Sequence, residues 1–82
     1  MKKNVGFDKA LKAVKEGKKI QRSGWNGKGM FVFLRPEVSG GTPNNGKVDC
    51  LAYLCMKTVD DKFVPWLASQ TDILAEDWSI LD

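Results

Sequence analysis

The sequence predicts an α+β chain, one N-terminal helix packed across a twisted antiparallel sheet of four to five strands, in a single domain over residues 1–82. Three observations lead there. Phe7, Ala10, Leu11 and Val14 recur at i, i+3, i+4 and i+7, one apolar helical stripe with Lys9, Lys12, Lys15 and Glu16 on its wet side. Met30–Leu34 and Leu51–Thr58 are short runs of the β-branched, aromatic and long apolar residues that suit a pleated surface. The chain has 82 residues, 43% hydrophobic and 28% charged, enough for one small core and not two. At that size a domain buries only about 60% of its unfolded surface.

In chain order, the helix runs from about Phe7 to Glu16. Gly17 is placed to end it, and Lys15, Lys18 and Lys19 suit the negative end of its dipole. Lys19–Arg22 reads as a short strand with Ile20 inward, followed by the glycine-rich loop Ser23–Gly29 around Trp25. The strand Met30–Leu34 is closed by Arg35-Pro36, and residues 37–47 form a low-hydrophobicity stretch that reads as a mobile loop. Leu51–Thr58 is the next strand, and Asp60-Asp61 is an imperfect hairpin turn into Phe63–Trp66. Ser69-Gln70-Thr71-Asp72 resembles a capping box that opens a helical turn over Ile73–Glu76, and Asp77–Leu81 is the last strand.

Strand patterning also bears on assembly. Met30, Val32 and Leu34 face one side and Phe31 and Phe33 the other; Leu51, Tyr53 and Cys55 likewise alternate with Ala52, Leu54 and Met56. Strands apolar on both faces need cover on both faces. One short helix covers one side of the sheet, so the other is expected to meet another copy of the chain, giving a homo-oligomer with a dimer at minimum.

Composition excludes several classes of chemistry. Histidine is absent and there are two cysteines, which removes the usual neutral-pH proton shuttle and the common four-ligand zinc sets. Cys50 and Cys55 in one extended segment would lie about 17 Å apart on opposite faces, beyond disulfide reach, so two free thiols are expected, at least one of them buried. Asp60-Asp61 and Glu76-Asp77 are neighbours in sequence rather than carboxylates converging on a cleft, and Ser69, Thr71, Cys50 and Cys55 lack an evident base. Neither an enzyme, a metal site nor a cofactor is expected. No run approaches the roughly 18 apolar residues of a membrane span. The stretch MKKNVGFDKA has no apolar signal core, so a membrane-spanning or secreted protein is not expected either.

The net charge of +3 hides an asymmetry: residues 1–35 carry eight Lys and two Arg against Asp8 and Glu16, and residues 36–82 carry three Lys against eight acidic residues. A basic front half can hold phosphates or nucleic acid. Solvated lysines on the outer face of a helix would look the same, and the preponderance of lysine over arginine weighs against a base-reading surface.

Binding is better supported than catalysis. Trp25 stands among glycines that allow close backbone approach and offer N–H groups to an anion; Asn26 adds a donor and an acceptor, Gly27 a bare backbone, and Lys28 a charge. The indole could stack on a nucleobase, worth about 1–3 kcal/mol, or it could plug the end of the core. Trp66 follows Pro65 and leads into Ser69, Thr71 and Asp72, which could line a polar pocket, although Ser69 could equally serve only as a helix cap. Trp78 reads as core.

The segments Gly24-Trp25-Asn26-Gly27-Lys28-Gly29-Met30 and Val64–Trp78, together with Met56-Lys57-Thr58 and the helix end Glu16-Gly17-Lys18-Lys19, resemble a family of small phage proteins that counter the Thoeris bacterial defence. This family is the second described type of anti-Thoeris sponge, and the resemblance spans nearly the whole chain except 36–50 and the Asp60-Asp61 turn. It implies sequestration, without cleavage, of cyclic ADP-ribose isomers made by TIR-domain enzymes, glycocyclic ADP-ribose above all, and in some members cyclic dinucleotides at separate sites. It implies a homotetramer with pockets between protomers, working in the cytoplasm of the infected host. Trp25 and Trp66 would stack on the adenine, and Asn26, Ser69, Thr71 and Asp72 would hydrogen-bond base, ribose or phosphate. The alternatives are a small basic nucleic-acid-binding or host-takeover protein using Lys9, Lys12 and Lys15, and a hydrolase that degrades the signal.

Overall fold

The computed structural model describes residues 1–25, 28–38 and 49–81. The elements run β1 (Lys2–Val5), α1 (Phe7–Lys15), β2 (Lys19–Arg22), β3 (Phe31–Arg35), β4 (Tyr53–Lys57), β5 (Phe63–Pro65), α2 (Gln70–Leu74) and β6 (Trp78–Leu81). All strand pairs are antiparallel, in the order β1-β6-β2-β3-β4-β5. The α+β class and the helix across an antiparallel sheet agree with expectation; the count of four to five strands does not, because the sheet has six.

The additional strand is β1. Lys2-Lys3-Asn4 carries no apolar alternation, as suits an edge strand whose charges discourage further pairing. It pairs irregularly with β6, Lys2 opposite Ile80 and Val5 opposite Trp78, so two residues stand against one. Asn4 takes up this bulge at φ 58°, a conformation Asn tolerates better than most.

Helix α1 ends as its sequence demands. The Lys18 N–H reaches the Ala13 carbonyl at 3.1 Å and the Gly17 N–H the Val14 carbonyl at 3.1 Å, a Schellman arrangement with Gly17 at φ 96°. At the second helix the expected turn over Ile73–Glu76 moves earlier, to Gln70–Leu74. Ser69 is the N-cap itself, accepting from the Asp72 N–H at 3.1 Å while Asp72 Oδ2 accepts from the Ser69 N–H at 3.0 Å, so helical geometry begins at the next residue. The β4–β5 hairpin turns with Asp61 at φ 62°, where glycine would be unstrained, and its carboxylate meets Lys57 Nζ at 2.7 Å. The middle strands are shorter than the apolar runs that encode them: Leu51 and Ala52 stay outside β4, and the Cys50 and Val38 backbones form an isolated bridge. Most of the 37–47 loop, residues 39–47, lies outside the described residues.

The core is Ala10, Ala13 and Val14 of α1 against Ile20, Val32, Trp78 and Ile80 of the sheet. The register matches the expected alternation: Val32 faces Met56 and Leu34 faces Leu54 on the helix side, while Phe33 faces Cys55 on the other. Cys55 is buried and Cys50 exposed, both free. Helix α1 lies over β2, β6 and β3 and leaves β4 and β5 beyond its reach. Exposed apolar residues concentrate there, with Leu51, Tyr53, Phe63, Val64 and Leu67 all open to solvent. Among the described residues no helix is long and apolar enough to cross a membrane.

Ile20 is fully buried between α1 and β3, so Ile20→Ala should cost about 2–5 kcal/mol in urea unfolding. Lys15→Ala, on the exposed flank of α1, should stay within about 0.5 kcal/mol. A loss below about 1 kcal/mol for Ile20→Ala would place the core elsewhere.

Candidate functional site

At the open end of the helix–sheet core, four aromatic rings meet. Trp78 is the innermost, fully buried, its indole N–H donating to the Asp72 carbonyl at 2.9 Å. Trp25 stands edge-on to it with centroids 5.4 Å apart, Trp66 edge-on at 5.9 Å, and Phe7 tilted at 5.4 Å. Trp25 and Trp66 also meet each other, edge-to-face at 6.4 Å. These are the separations and angles that ring quadrupoles favour. Trp25 and Trp66 remain half-buried, so each leans on the core while part of its ring stays in solvent. Trp25 thus packs against the core while part of its surface stays exposed.

A charged network fixes the loop that carries Trp25. Arg22, at the end of β2, donates from Nε to Asp77 Oδ1 at 2.9 Å and from Nη1 to Asp72 Oδ1 at 2.8 Å. The second oxygen of Asp77 accepts from the Gly24 N–H at 2.8 Å, and the Asp77 carbonyl accepts from the Ser23 N–H at 3.1 Å. A Cβ on residue 24 would sit 3.0 Å from that Asp77 oxygen, so a side chain there would require the carboxylate to give by a few tenths of an ångström. The Trp25 indole N–H completes the set with a long 3.5 Å contact to Asp72 Oδ1.

Electrostatics follow from these contacts. Burial pushes the Asp72 carboxyl upward, but the Ser69 N–H, Arg22 and the Trp25 indole outweigh it and hold the group below the usual carboxylate range. Asp77 is likewise penalised by burial and brought below that range by Arg22 and the Gly24 N–H. The bonds to Asp77 and then Asp72 raise the pKa of Arg22 in turn.

The sequence-predicted site residues are thus partly assembled. Trp25, Trp66 and Asp72 lie within one cluster. Ser69 and Thr71 are exposed beside it, their hydroxyls 2.9 Å apart, and Ser69 also caps α2. Lys28 is exposed, and Asn26 and Gly27 lie outside the described residues. Asp72 differs from expectation in its surroundings: both its oxygens are already engaged by protein donors. Three contributors were not legible. Arg22 and Asp77 are 55 positions apart and meet because β2 and β6 pair with Arg22 opposite Trp78, and Phe7 looked like part of the helical stripe alone. Among the described residues no group of three or more His, Cys, Asp or Glu side chains is placed to hold a metal ion.

The Thoeris anti-defense 2-like domain model matches residues 5–81. The chain belongs to the Thoeris anti-defense 2-like family. A protein of Bacillus phage SP01 named Thoeris anti-defense 2 is 39% identical to it over 90 aligned residues, covering 99% of each chain. The family match therefore takes in every element that builds the aromatic cluster, from Phe7 of α1 to Trp78 of β6.

Because Asp72 and Asp77 have lowered pKa values in the folded chain, their contribution to stability is present above the unfolded carboxylate value of about 3.9 and is lost as pH falls through the folded values. Arg22 stays protonated throughout that window. Arg22→Met should lower stability at pH 7 and flatten the loss between about pH 4 and pH 2, read by urea midpoints. Parallel acid limbs in the two proteins would show that the network does not set the pH response.

Proposed function

We propose that this chain antagonises the Thoeris defence as a sponge: it binds a cyclic ADP-ribose signal, glycocyclic ADP-ribose foremost, and withholds it without cleaving it. The observation that carries this reading is the pair of half-buried indoles, Trp25 and Trp66, held at fixed angles against Trp78 within a chain of the Thoeris anti-defense 2-like family. An adenine stacked on these rings would gain about 1–3 kcal/mol per contact. A signal acting at nanomolar level calls for roughly 12 kcal/mol in all. Polar groups must supply the rest, and the Ser69 and Thr71 hydroxyls, Lys28 and the Asn26–Gly27 backbone are the groups nearest in sequence to the rings. Asp72 acts in this reading by holding Trp25 and the α2 cap in place.

Sequestration needs no turnover, so a chain without histidine loses nothing by it. Neither of two concavities on the chain, about 310 and 290 Å³ in volume, is lined by Trp25 or Trp66. A second protomer set against the indoles would supply the missing wall, and the apolar groups left open on β4, β5 and Leu67 favour association. The assembly proposed is a homo-oligomer, a dimer at least and a tetramer by the family analogy.

Glycocyclic ADP-ribose should raise the melting temperature by several degrees, linear ADP-ribose and NAD should not, and the ligand should be recovered intact after denaturation. Trp25→Ala should abolish that shift. Absence of binding to any cyclic nucleotide signal, or recovery of a cleaved product, would defeat the proposal. Light scattering after size exclusion should give a mass of at least twice 9.1 kDa at micromolar concentration, and a stable monomer would remove the interprotomer pocket.

A further inference from the structure

Four lysines from three segments line a concavity of about 310 Å³ whose lining includes none of the three tryptophans. Lys2 enters from β1, opposite Ile80. Lys9 and Lys12 stand one helical turn apart on the outer flank of α1. Lys18 comes from the Gly17 turn, where its N–H is bonded to the Ala13 carbonyl. The floor is apolar, formed by Ala13 and Ile80, and among the described residues Glu16 is the one acidic residue in the lining.

The charge balance favours an anion. Among the described residues none of these four ammoniums is in an ion pair; the lysine pairs are Lys57–Asp61 and Lys62–Asp60, on the far hairpin. Among the described residues, Glu16 and the negative end of α1, equivalent to about half a charge, stand against four positive charges, which leaves roughly +2.5 in the groove. Its volume lies at the lower end of the ~300–1,000 Å³ of small-molecule pockets. That size suits a few phosphate groups and not an extended strand. Lys15, on the same helix, is outside the lining, so the feature is a local bowl and not a stripe along the helix.

We propose that this groove is a second ligand site, for a small oligophosphate of two or three phosphate groups, free or esterified to a nucleoside whose organic part rests on Ala13 and Ile80. The site is independent of the tryptophan cluster and of its reading as a signal trap.

Isothermal titration with inorganic tripolyphosphate and, separately, with ATP tests it. Binding to both should weaken as salt rises from about 50 to 200 mM, and tighter binding of ATP would assign the floor to the nucleoside. The double variant K9Q/K12Q should weaken binding by about tenfold or more, and K2Q/K18Q, from the opposite wall, should do the same. The charge-matched control K15Q/K62Q, outside the groove, should stay within about twofold. No binding of either phosphate, or an equal loss in the control, overturns the site. So does a single-stranded oligonucleotide that binds through Lys9 and Lys12 and is not displaced by tripolyphosphate, since the face would then serve a polynucleotide.

Discussion

The indole of Trp78 is the point through which the rest of the structure is tied. It is fully buried, and its N–H is satisfied by the Asp72 carbonyl, so the last strand and the α2 segment cannot separate without stranding a polar group in the core. Phe7 at the start of α1, Trp25 on the β2–β3 loop and Trp66 after β5 all rest against this ring. Four chain segments are thereby referred to one rigid aromatic surface. That matters for a domain of 82 residues, whose buried core cluster is six small or medium aliphatic side chains and one indole.

Around that ring the charges are turned inward. Arg22 is shared between Asp72 and Asp77, Asp77 also anchors Gly24, and Asp72 also holds the cap of α2. Partly buried ion pairs add little net stability when desolvation is set against attraction, but removing one partner leaves the others uncompensated. What such a network supplies is orientation. The loop bearing Trp25 is pinned at its backbone and its indole nitrogen, and the ring's remaining surface is presented at a set angle beside Trp66. In the proposed reading, such a site holds a flat ligand against fixed rings.

Helix α1 covers β2, β6 and β3 and stops there, so the sheet is unevenly protected. Phe31, Phe33 and Phe63 line one side of the uncovered surface, with Lys19 over the Phe31 ring at 4.6 Å, and Phe33 packs edge-on to Phe63 at 5.2 Å. The lysine-rich flank of α1 faces another way. One small chain thus has an aromatic end, an apolar sheet face and a cationic groove, the first and last of them sharing α1 and β6.

The sequence by itself determined the local geometry. Apolar spacing at Phe7, Ala10, Leu11 and Val14 allows only one wet face for α1, Gly17 supplies the left-handed residue that ends it, and Ser69 with Asp72 caps α2. The alternation in β3 and β4 determined which residues face the helix, since the side-chain period of a strand is two. The resemblance of the two Trp motifs marked the family. Tertiary structure alone decided the partners. Strand β1 has no apolar signal because it is an edge, and its pairing to β6 is what carries Lys2 to the lysines of α1. Arg22 meets Asp77 only through the β2–β6 register, because contacts between residues 55 apart are set by packing of the whole chain and leave no periodicity to read.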